Sequence, residues 1–164
     1  MNSPKRPLTA SQALSRAAAL CSRSEQAPAD IRQKLLRWGL NANDASQVLN
    51  QLAEQGFIDE ERYARAFVND RFTFNGWGKT KIAYQLRIKG IPAETAQEAL
   101  ALIDEQEYRD RLVELLRAKW RTVGNREQAA AIAAMMRFAA SRGFEASLAS
   151  QCIKEVTRVD AQDD

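Results

Sequence analysis

Histidine is missing from this sequence altogether. Its absence removes Ser-His-Asp and Cys-His catalysis, imidazole metal ligation and imidazole acid-base chemistry together. Cysteine is nearly absent: only Cys21 and Cys152 occur, too few and too far apart to suggest a disulfide framework or a zinc site. No apolar run approaches the roughly eighteen residues that suggest a membrane span, and Met1 to Leu8 carries two prolines and two cations with no apolar core behind them. A cytoplasmic protein without a cleaved leader is expected. Sustained two-residue alternation and β-branched runs are also lacking, so no substantial sheet is expected.

What the sequence does contain is one pattern written three times, with Gly39, Gly90 and Gly143 as its registration marks. Four and eight residues before each glycine stand Leu35 and Ile31, Leu86 and Ile82, then Ala139 and Met135. One residue after each comes Leu40, Ile91 or Phe144. Further on, at shared offsets, come Ala45, Val48, Leu49 and Leu52, then Ala96, Ala99, Leu100 and Ile103, then Ala149, Cys152, Ile153 and Val156. Such spacing describes two amphipathic helices meeting at a tight corner, where a glycine in the left-handed region ends the first. Cys152, at an apolar repeat position, reads as a small core residue.

The fold class expected is all-α: three tandem three-helix modules forming an elongated, curved array, with 45% hydrophobic and 27% charged residues in 164 supplying an ordinary core and surface. Residues 1–8 are expected to be a disordered N-terminus, 9–56 the first module, 57–103 the second, 104–157 the third and 158–164 an acidic tail. Pro28 suits the first turn of a helix, and Asp59 is a good N-cap followed by two acids at the positive helix end. Asn125 and Gln128 have capping-box spacing.

Several motifs invite chemistry and fail to carry it. Gly78-Lys79-Thr80 resembles the end of a phosphate loop, but Thr73 stands where that motif needs glycine, and a helix precedes it instead of a strand. Asp59-Glu60-Glu61 could hold a divalent cation, yet a capped helix start accounts for all three. No activated nucleophile is paired with a base, so neither catalytic residues nor a cofactor or metal is assigned. Helix-turn-helix reading of DNA fails as well: the helices after the marker glycines offer small, apolar or acidic side chains, and residues 93–103 contain no cation.

Charge is distributed more tellingly than the net +3 and pI near 9.0 suggest. From Arg62 to Gly90 seven cations face a single acid, Asp70, whereas Ile91 to Glu107 holds five acids and no cation. The block reads either as one face of a two-faced electrostatic surface or as solvated helix sides. On the helix from Lys79 to Lys89, Ile82 and Leu86 define the buried side and Lys81, Tyr84, Arg87 and Ile88 the opposite one. Such a face could grip phosphates while making apolar contact, or Tyr84 and Ile88 could bury against a neighbouring module. The candidate binding residues are Arg62, Arg65, Lys79, Lys81, Tyr84, Arg87 and Lys89. Arg71 shares the azimuth of Tyr63 and Phe67 and is expected to brace its module through a carboxylate or carbonyl.

Gly56-Phe57-Ile58-Asp59-Glu60, Arg62-Tyr63-Ala64, Phe67-Val68, Arg71, Gly76-Trp77-Gly78, Lys81-Ile82, Leu86 and Lys89-Gly90-Ile91 together closely resemble the RecX family of bacterial recombination regulators. The resemblance extends from about Ala13 to Val156, most specifically in the middle module, with Gln85 where the family more often has an acid. It implies a monomeric, non-enzymatic modulator that binds the RecA recombinase and lies along the groove of its filament on DNA. It also implies suppression of ATP hydrolysis and strand exchange, and weak binding of single- and double-stranded DNA without sequence preference. The alternative is a nucleic-acid-binding helical protein that acts without RecA.

Overall fold

In a computed structural model, residues 6–162 are described, with side chains as far as Arg158. Residues 1–5 of the expected disordered N-terminus, and 163–164 of the acidic tail, lie outside the described residues. Among the described residues there are nine helices and no strand. They are α1 (Ala10–Arg23), α2 (Pro28–Arg37), α3 (Ala42–Glu54), α4 (Glu60–Thr73), α5 (Lys79–Ile88), α6 (Ala93–Leu100), α7 (Glu105–Val123), α8 (Gln128–Arg142) and α9 (Ala146–Gln162). The all-α class is therefore observed. No helix among them is long and apolar enough to cross a membrane.

Local chemistry explains most boundaries. Thr9 and Gln12 form a reciprocal capping box on α1, and Asn41, Asp59 and Asp104 accept the N–H groups of Asp44, Arg62 and Glu107 at 2.8 to 3.0 Å. Each satisfies a first-turn donor that the helix itself cannot. Pro28 occupies the first turn of α2 as expected. Asn125 does not cap α8. Gly124 stays right-handed at φ −66° and a turn closes from Arg126 N–H to the Val123 carbonyl, so the helix starts later, after Glu127, without a side-chain cap.

Two compact units share the chain: Met1–Ala66 with Leu86–Ala96, and Phe67–Gln85 with Gln97–Asp164. In the first, α1, α2 and α3 pack on one another around Ala17, Ile31, Leu35, Val48 and Leu52. In the second, α7, α8 and α9 do likewise around Leu112, Leu116, Met135, Cys152 and Val156. Truncating one of these large core side chains to alanine costs about 2–5 kcal/mol. Every apolar position of the threefold pattern is buried except Leu49, which is half-buried. The three marker glycines do take left-handed φ values, 100°, 83° and 92°.

Two ends differ from expectation. Pro7 and Leu8 are held in place: the Leu8 N–H donates to the Trp38 carbonyl at 2.9 Å and its side chain packs on the first core. Helix α9 continues to Gln162, past the expected stop at Thr157.

Candidate functional site

The seven candidate residues divide between the units, and their environments differ sharply. In the first unit Arg62 is already engaged. Its Nε pairs with Glu25, its Nη2 donates to the Gly56 carbonyl at 3.2 Å, and Asp59 lies 3.8 Å from Nη1. The Glu25 hydrogen bond raises the guanidinium pKa further. Arg62 therefore ties the start of α4 to the residues after α1, a bracing role.

Lys89 is engaged as well, with its ammonium 3.0 and 3.2 Å from the two carboxylate oxygens of Asp30. Arg65 approaches Glu61 only at 3.9 Å and is exposed, a pair worth little in water. Arg87 is exposed, and among the described residues no ion pair holds its guanidinium. Thus the basic block is not uniformly available: two of its four first-unit cations are committed internally.

In the second unit the cations lie on aromatic rings. Lys79 places its ammonium 4.8 Å from the centroid of Tyr108, and Lys81 stands 4.4 Å from that of Trp77. Arg71 lies on the Phe67 and Trp77 rings at 4.8 and 5.3 Å and donates to the Asn75 side-chain oxygen at 3.1 Å. Its expected brace is present, with an amide and two ring faces as partners. Cation–π contact stabilises each pair by about 0.5–1 kcal/mol where partly exposed. Tyr84 is 58% exposed, and Ile88 on the same helix is 53% exposed, so neither is buried by a neighbour among the described residues.

Tyr108 organises this part of the unit. The ring is buried, tilted against Phe72 and Phe144 at centroid distances of 5.9 and 5.1 Å. Its hydroxyl accepts the Lys79 N–H at 2.9 Å and donates to Glu145 at 2.8 Å. Burial, with the Glu145 hydrogen bond and charge adding to it, pushes the phenol well above its usual range. It holds the first turn of α5, and with it Lys79 and Lys81, in a fixed position.

A second basic region, absent from the sequence reading, surrounds Asn75. Arg142 donates to the Asn75 carbonyl at 3.2 Å, Arg71 binds the Asn75 side chain, and Arg111 lies beside Gly76. The Nε–H groups of Arg71 and Arg111 are buried without a hydrogen-bond partner among the described residues. Next to them Phe74 is 76% exposed. Seven-residue spacing from buried Phe67 suggests a shared inward face, but α4 ends at Thr73 and the chain turns away before Phe74 can follow it. Arg142 lies 67 residues from Asn75, so no local pattern could have announced their contact.

Residues 59–100 match the family model described as RecX, second three-helix domain, a stretch that contains all seven candidates. The chain is 29% identical to a protein named Regulatory protein RecX from Amycolatopsis mediterranei (strain U-32), over 79% of this chain and 74% of that one. It is 36% identical to another of that name from Mycobacterium sp. (strain JLS), over 57% and 51%, so it spans about half the length of that relative. A crystal structure of RecX from Lactobacillus salivarius superposes with a TM-score of 0.81 at 19% identity, over 90% of this chain and 96% of that one. A second crystal structure, of a regulatory protein RecX, gives 0.78 at 21% identity, over 89% and 73%. At such identities the structural likeness speaks to the fold.

Proposed function

The chain belongs to the RecX family of regulatory proteins, and from that premise we propose that it binds the RecA recombinase and its filament on DNA and lowers their ATPase and strand-exchange activities. The observation that carries the reading is the match of residues 59–100 to the second RecX three-helix domain, the segment that holds the basic block. Action is by occupancy along the filament groove; a chain without histidine is poorly suited to acid-base catalysis at neutral pH.

Electrostatics divides the work. The exposed cations Arg65 and Arg87, with Lys79 and Lys81 over their aromatic rings, supply a salt-sensitive attraction to phosphate. Exposed Tyr84 adds a contact with apolar and hydrogen-bonding character, suited to a protein partner. Arg62 and Lys89 support the fold of the first unit and leave the contact set.

The test is a titration of the purified chain into RecA hydrolysing ATP on single-stranded DNA, with strand exchange measured in parallel. Inhibition at or below stoichiometric amounts is expected. Unchanged rates across a broad titration would sink the proposal. Binding to bare DNA that collapses at raised salt, with no capture of RecA filaments, would favour the RecA-independent nucleic-acid reading.

A further inference from the structure

Each marker glycine is closed by a segment earlier in the sequence, and in one case that segment is not a helix. At Gly90, the Lys89 carbonyl accepts the N–H of Ala29, the second residue of α2, at 3.2 Å. A Cβ added to Gly90 would stand 3.3 Å from Ala29. No side chain caps α2 at Ala27, so the corner supplies the missing acceptor.

At Gly143 the joint is built again. The Arg142 carbonyl accepts the Gly78 N–H at 2.7 Å, and the Gly143 carbonyl accepts the N–H of Thr80, the second residue of α5, at 3.0 Å. A Cβ on Gly143 would collide with Lys81. Both corners thus receive the start of the middle helix of the preceding module.

At Gly39 the same acceptor, the Trp38 carbonyl, receives the Leu8 N–H at 2.9 Å, and a Cβ on the glycine would collide with Pro7. Pro7 and Leu8 stand where the other corners hold a helix start. The corresponding helix of the third module, α8, has residues 127–130 exposed and no side-chain cap from Glu127, the same condition as α2 before its corner closes on it. Among the described residues no carbonyl other than that of its own N-cap residue Glu127 accepts a backbone N–H from its first turn.

We propose that Pro7 and Leu8 are a plug over a module-docking corner, and that without them the start of α8 from a second copy enters the Trp38–Gly39 corner. The occupant follows from continuity: the chain builds this joint twice, keeps one acceptor end plugged and leaves one donor end open. The positive end of α8 meets the Trp38 carbonyl, the acceptor that Leu8 otherwise occupies. Because the two surfaces differ, the joint is head-to-tail and does not close on itself, so copies add without a fixed limit. The plug keeps the full chain monomeric.

Sedimentation equilibrium on three chains tests this: the full chain, one lacking residues 2–8, and the shortened chain with Ala129→Pro. The shortened chain keeps Thr9 and Gln12, hence the cap of α1. Proline at the second position of α8 removes the corresponding donor and fits a helix first turn. The full chain is expected to stay monomeric. The shortened chain is expected to gain mass with concentration and without a dimer plateau, roughly doubling its weight-average mass by about 0.5 mM, the increase that a joint of Kd about 0.7 mM produces. Ala129→Pro is expected to restore the monomer. A shortened chain of unchanged helicity that stays monomeric overturns the proposal, as does association that plateaus at a dimer or ignores Ala129→Pro. If shortening lowers helicity, full-length Pro7→Gly, Leu8→Gly decides: association supports the plug, and a monomer overturns it.

Discussion

Lys89 contacts the α2 region with both ends: its carbonyl accepts the Ala29 N–H, while its ammonium reaches both oxygens of Asp30 at 3.0 and 3.2 Å. The two carboxylate contacts hold a cation that follows the last residue of α5 and lies seven positions after buried Ile82, on the inward azimuth of that helix. With both side chains about one-third exposed, the pair adds only about 0.5–1 kcal/mol. Lys89→Gln is expected to lower the melting temperature by a few degrees and leave RecA inhibition unchanged at matched folded concentration. A large loss of inhibition with an unchanged melting curve would return Lys89 to the contact surface.

Arg87 and Lys81 separate what a double charge reversal confounds. Arg87→Glu touches no internal partner among the described residues, so stability should move by no more than about 0.5 kcal/mol while filament inhibition weakens and its salt dependence flattens. Lys81→Glu also removes the cation from the Trp77 ring and is expected to lose about 0.5–1 kcal/mol of stability. Thermal melts beside ATPase titrations read both quantities. Inhibition by Arg87→Glu equal to that of the parent chain would show that Arg87 faces water in the complex.

These two residues also mark how far the sequence could be read. Azimuth on a helix is local, so the exposure of Tyr84 and Arg87 and the burial of Ile82 and Leu86 follow from spacing alone. The glycine corners are local as well, since left-handed backbone is a property of single residues. The partners of Arg62 and Lys89 lie 37 and 59 positions away, and no periodicity encodes such meetings. Asn125 fails for a different reason: its capping spacing competes with the 123–126 turn, and the turn prevails. The exposed side of α5 was thus legible from spacing, while the internal partners that hold Arg62 and Lys89 were not.

Tyr108 gives the chain a distinctive alkaline response. Its phenol is raised above the usual value chiefly by burial, so the folded chain holds that proton more tightly than the unfolded chain does. The stability this supplies is fully present below the unfolded pKa of about 10 and is lost as pH rises through that value toward the folded one. Tyr108→Phe should cost about 1–2 kcal/mol at neutral pH by freeing the Lys79 N–H and a Glu145 oxygen. The gap between parent and variant should then narrow between about pH 9 and 11. Denaturant melts across that range test it, and a gap independent of pH would contradict the assignment.

Gly56 and Gly143 have similar backbone angles, φ 77° and 92°, yet their alanine variants should differ in cost. Around Gly56 a Cβ meets nothing within 4 Å, so Gly56→Ala bears only the left-handed strain, about 1–2 kcal/mol. At Gly143 the same Cβ would strike the Cβ and N of Lys81, and backbone atoms cannot swing aside as a side-chain tip can. Gly143→Ala should therefore cost at least about 3 kcal/mol, the strain plus the work of separating the α8–α9 corner from the start of α5. Gly78→Ala isolates the steric part, since Gly78 lacks a left-handed φ and its Cβ would meet the Gly143 carbonyl. Urea melts of the three variants should rank Gly143→Ala as the most destabilised. A Gly143→Ala chain no weaker than Gly56→Ala would mean that the joint yields easily, and that close glycine contact does not fix where Lys79 and Lys81 stand.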